Sequence, residues 1–66
     1  MKSAMDVIRE RDNWTAEQVE AHRKAVIARM EKLKAGSPTD SQKAFVSGEI
    51  EYAKHATETQ IKRMEA

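Results

Sequence analysis

The chain has 66 residues, 39% of them hydrophobic and 35% charged, and its 12 Lys and Arg against 11 Asp and Glu leave a net charge of +1. That mixture is too apolar for a disordered tail, too polar for a membrane span, and far from the cationic excess expected of a protein held to nucleic acid mainly by phosphate contacts. With no cysteine and only two histidines, neither a disulfide framework nor a structural zinc site can staple so small a core.

Glycine occurs twice and proline once, so the places where the helical pattern is interrupted stand out. Ser3, followed by Asp6, is placed to cap a short helix over about 4–12, and Asn13 tolerates the left-handed conformation that would end it. A helix shorter than about 12–15 residues is marginal alone, so this one depends on docking. Next comes the stretch NWTAEQVE, residues 13 to 20. Thr15 as N-cap puts Gln18 at the third helical position and Val19 at the fourth, which makes a capping box. Trp14 then lies where a hydrophobic staple would pack on Val19.

A long helix over about 16–35 follows. Spacing its residues at about 100° places Val19, Val26, Met30 and Leu33 on one face, with His22 and Arg23 flanking and Ile27 at the edge. The stretch AGSPTDSQ, residues 35 to 42, breaks the pattern. Gly36 suits a left-handed position after the helix, and either Ser37 with Asp40 or Thr39 with Gln42 caps the next one.

The last segment is expected to be one helix over about 39–64. Val46, Ile50, Ala53, Thr57, Ile61 and Met64 form a strip that Phe45, Tyr52 and Ala56 widen to about half the circumference, more than a single antiparallel neighbour covers. Gly48 inside it marks a close helix crossing or a bend. The expected fold is therefore all-α and a single domain over 1–66. A short helix precedes an antiparallel hairpin of two long ones, and a second copy completes a four-helix arrangement over the excess apolar surface.

Chemistry-bearing constellations are sparse. Bundle metal sites use Glu-x-x-His, whereas Val19 precedes His22 and Tyr52 precedes His55 at that spacing, and His55 projects away from the apolar strip. No metal or cofactor is expected. Glu49 sits within the apolar sector, where a carboxylate needs a partner, and His22, Arg23 or Arg29 would be level with it in a hairpin. No nucleophile has a base and an orienting group at a recognisable spacing and no glycine-rich phosphate loop occurs, so an enzyme is not expected. Glu20 with Lys24 and Glu58 with Lys62 are spaced as helix-supporting ion pairs.

These features point to a noncatalytic protein-binding module, an adaptor, inhibitor or regulator of the bacterial or bacteriophage accessory type, which self-associates and contacts a protein partner through a helical face. Trp14, Val26, Met30, Phe45, Glu49 and Tyr52 are its candidate interface residues. The alternative reading is a nucleic-acid-associated regulator using Arg23, Lys24, Arg29, Lys32 and Lys34, although these project in different directions and Glu31 interrupts them. A third is a structural subunit of a larger assembly, which predicts oligomers beyond a dimer. No membrane partner is implied. In the absence of a signal-peptide pattern the expected location is cytoplasmic.

Overall fold

Local hydrogen bonding divides the chain. In the computed structural model, which describes residues 2–65, four helices form: α1 (Ala4–Asp12), α2 (Ala16–Ala35), α3 (Asp40–His55) and α4 (Glu58–Lys62). Three of them begin in complete capping boxes, Ser3 with Asp6, Thr15 with Gln18 and Thr57 with Gln60. In each box a side-chain oxygen takes one orphan backbone N–H and the third helical residue returns a bond to the cap. At α3 only half of a box forms. Thr39 Oγ1 accepts from Gln42 N at 3.2 Å, which fixes the start left open between Ser37 and Thr39.

Helix ends differ from expectation in two places. No residue among those described has positive φ. Asn13 ends α1 at φ −92° by donating its side-chain amide to Arg9 O at 3.0 Å, so a side chain does the work expected of a left-handed backbone. Gly36 lies at φ −87°, ψ −2°, continuing the last turn of α2, while Ser37 Oγ donates to Leu33 O at 2.8 Å.

The larger correction concerns the segment expected to be one helix over 39–64. It breaks at Ala56 and Thr57, both extended, giving α3 and the short α4. The reason is one of length. A straight helix over 39–64 would extend about 39 Å at 1.5 Å per residue, against about 30 Å for the 20 residues of α2. With Arg23 beside Ala53, such a helix would bring Ile61 level with Thr15 and carry Met64 beyond the start of α2. The break turns them back, and Ile61 becomes fully buried against Val19 and Ala56, with Trp14 and Met64 packed on the same cluster.

Helix α2 is the spine. It packs along α3 and against α4, while α1 rests on α4. Contacts between α2 and α3 run in reverse order: Arg23 bonds Ala53 O, whereas Leu33 and Val46 line one groove beside the turn. The buried core is aliphatic throughout, formed by Val19, Val26, Ile50, Ala53, Ala56 and Ile61, and no polar residue among those described is buried. Trp14 packs where the staple requires, and its ring is flanked by His22, with centroids 4.9 Å apart, and by the Arg11 guanidinium 5.6 Å from its centroid.

Gly48 does not mark a close crossing. A Cβ built there meets nothing within 4 Å. Gly48→Ala therefore removes only the helix-propensity penalty. It is expected to raise stability by up to about 1 kcal/mol, seen as an upward shift of about 4–8 °C in the thermal midpoint for a domain of this size.

Candidate interaction surface

Residues four and seven apart in a helix share a face, and α3 uses two such rows differently. Val46, Ile50 and Ala53 point toward α2, with Ile50 and Ala53 buried. The adjacent row of Phe45, Glu49 and Tyr52 is exposed, Phe45 to 70% and Tyr52 to 48%. Beside Phe45 the turn opens a groove of ≈ 530 Å³, lined by Leu33 and Val46 on its apolar walls and by Pro38, Ser41 and Gln42 at the turn. Leu33 itself is 55% exposed, and no residue lining the groove carries a charge. In a chain that is 35% charged, an uncharged groove next to exposed Phe45 and Tyr52 is a distinctly apolar part of the surface.

The expected interface residues separate into two groups. Phe45, Glu49 and Tyr52 share the exposed row. Val26 is buried, Met30 is half-buried and Trp14 is half-buried in the cluster around Ile61, so these three lie within the packing of one copy. Glu49 has no ion-pair partner within 4.0 Å among the described residues; the expected partners are engaged elsewhere or out of reach. Arg23 pairs with Glu20 at 2.8 Å, so Glu20 serves Arg23 rather than Lys24, and His22 Nε2 donates to Met64 O at 2.7 Å. Among the described residues Glu58 and Lys62 form no ion pair either. Of the basic residues considered for nucleic acid, Lys24, Arg29, Lys32 and Lys34 are exposed, whereas the Arg23 guanidinium is committed to the fold.

A second feature is the way arginines distant in sequence serve the ends of α3 and α4. The last carbonyls of a helix lack backbone donors and carry its partial negative charge. Arg23 Nη1 donates to Ala53 O at 2.6 Å and to Lys54 O at 3.4 Å, at the end of α3. Arg11 Nη1 donates to Lys62 O and Met64 O, each at 3.0 Å, at the end of α4. Arg63 pairs with Asp12 at 3.1 Å. The Thr57–Gln60 capping box was readable as T-x-x-Q; the arginine contacts bridge residues 30 to 53 positions apart and leave no local signal.

Among the described residues no helix is long and apolar enough to cross a membrane, and no three His, Asp or Glu side chains are grouped to hold a metal ion. No family model, curated protein or solved structure matches the chain.

Proposed function

We propose that this chain is a noncatalytic protein-binding module of the adaptor or regulator kind, which pairs with a second copy and engages a protein partner through the exposed row of α3 and the groove at the α2–α3 turn. The observation that carries this reading is Phe45, 70% exposed at the mouth of an uncharged groove. Single exposed apolar residues are ordinary, but contiguous patches mark interaction sites. Aromatic side chains are also enriched at interfaces, where charge is depleted. Covering Phe45, Leu33 and the face of Tyr52 would remove from water the apolar surface that one copy leaves wet.

The test is light scattering over a concentration series with wild type and Phe45→Glu. Phe45 makes little contact within one copy, so the variant is expected to keep its thermal midpoint, with a stability change within about ±0.5 kcal/mol, while losing self-association. Wild type that stays monomeric at high concentration, and that retains no host protein which Phe45→Glu fails to retain, removes the proposal.

A further inference from the structure

Glu49 is the only charged member of the row formed by Phe45, Glu49 and Tyr52, and among the described residues it has no ion-pair partner. A second row runs along α2. Leu33, Arg29 and Ala25 follow one another at intervals of four residues, so they share a face, and all three are exposed. Leu33 and Phe45 line the same groove, which places the two rows on one side of the hairpin. Arg29 is also without an ion pair among the described residues. Helices α1 and α4 pack at the other end of α2, around Val19 and Ile61.

The spacing of the two rows is complementary. Phe45 to Glu49 is four residues toward the end of α3, and Leu33 to Arg29 is four residues toward the start of α2. Because the helices run antiparallel, both steps advance about 6 Å in the same direction. The bond from Arg23 to Ala53 O fixes the relative level of the helices. On that scale Phe45 and Leu33 lie within about 3 Å of one level, and so do Glu49 and Arg29.

A two-fold axis parallel to the hairpin preserves level and sets α3 of one copy on α2 of the other, as in a four-helix bundle. With Phe45 at the groove of the second copy, beside its Leu33, Glu49 arrives at the Arg29 of that copy. Tyr52 arrives over its Ala25, a side chain small enough to leave room for the ring. The symmetry repeats each contact, so the interface holds two opposite-charge pairs. An axis across the hairpin would instead set α3 on α3. Where Phe45 then met Tyr52, the two Glu49 carboxylates would come together, and like charges facing each other weaken such an interface. Charge therefore selects the first arrangement.

We infer that a second copy of this chain occupies the groove in this register, and that Glu49 and Arg29 pair across the interface to fix it. The inference rests on the proposed α3 face and adds the orientation of the second copy and the part played by α2. Self-association and partner binding then compete for one surface.

Charge reversal tests it. Glu49→Arg and Arg29→Glu each change an exposed residue, so both are expected to keep the wild-type thermal midpoint by circular dichroism. In a homodimer of either variant both pairs become like-charged. The dissociation constant of the dimer is expected to rise at least about tenfold, with the difference narrowing as salt is added. In an equimolar mixture of the two variants the contacts are opposite-charged again: the introduced arginine meets the introduced glutamate, and the native Glu49 meets the native Arg29. Light scattering is made at a concentration where wild type is dimeric and each variant alone is largely monomeric. The mixture is expected to return to about twice the 7.5 kDa chain mass. Pairing within one copy cannot give that result, since each chain in the mixture still carries two like charges.

A single variant that dimerises as wild type does, or a mixture no more dimeric than its components, overturns the inference. If either occurs while Phe45→Glu still abolishes the wild-type dimer, the α3 face stands and only the register falls. A wild type that stays monomeric at high concentration removes both.

Discussion

Ile61→Ala is expected to lower the free energy of unfolding by about 2–4 kcal/mol, enough to bring the chain close to its folding midpoint at room temperature. Two quantities decide this. Ile61 is fully buried in the cluster of Val19 and Ala56, so truncation removes transfer energy and leaves a void at the junction of α2 and α4. Against that loss stands a core that, for a chain of 66 residues without disulfides, supplies only about 3–5 kcal/mol in total. Urea titration followed by circular dichroism measures the effect. Leu33→Ala is the control, since it removes the same number of carbons from a position 55% exposed and is expected to cost less than about 0.5 kcal/mol. Similar losses in the two variants would mean that the α4 junction is not the centre of the core.

The second large effect belongs to Arg23→Gln, expected to cost about 1–2 kcal/mol. Its ion pair with Glu20 is the more visible contact, but Glu20 is 56% exposed, and a pair of that kind contributes about 0–1 kcal/mol. The bonds to Ala53 O and Lys54 O matter more, because losing them strands two carbonyls at the end of α3, one of them part-buried. Full desolvation would double the cost; partial access to water places it in the lower range. Glu20→Gln separates the contributions by leaving the carbonyl bonds in place, and it should cost less than about 0.5 kcal/mol. If Glu20→Gln and Arg23→Gln destabilise equally, the salt bridge and not the helix end is what Arg23 supports.

What the sequence makes legible here is whatever is settled within about one helical turn. Ser3, Thr15 and Thr39 each cap a helix as their spacing to Asp6, Gln18 and Gln42 implies, and the turn falls between Ala35 and Asp40. Trp14 packs with Val19 as a staple should. The break at Ala56 was hidden because two signals disagree there. The strip through Ile50, Ala53, Thr57 and Ile61 has helical period, while T-x-x-Q at 57–60 announces a new helix start. Periodicity cannot arbitrate, since the sequence strip keeps helical spacing across both residues; the packing of α4 on α2 and α1 decides, and that is a tertiary quantity.

The same limit applies to the candidate site. Phe45, Glu49 and Tyr52 share a row at helical spacing, but only the packing of Val46, Ile50 and Ala53 on α2 fixes that row as the exposed one. Val26 belongs to the same kind of periodic face and is buried. Sequence proximity groups Arg23 with its basic neighbours, whereas the carbonyls it serves lie 30 and 31 positions away.

The chain's one tryptophan sits at the seam of α1, α2 and α4, half-buried against Val19, Ala56 and Ile61 and flanked by His22 and Arg11. Its emission therefore reports on the docking of the short C-terminal helix, whereas far-ultraviolet ellipticity is dominated by α2 and α3, which hold 20 and 16 residues. A two-state chain gives coincident curves by both probes. A fluorescence transition preceding the loss of ellipticity would resolve undocking of the C-terminal end from melting of the hairpin, with no label added.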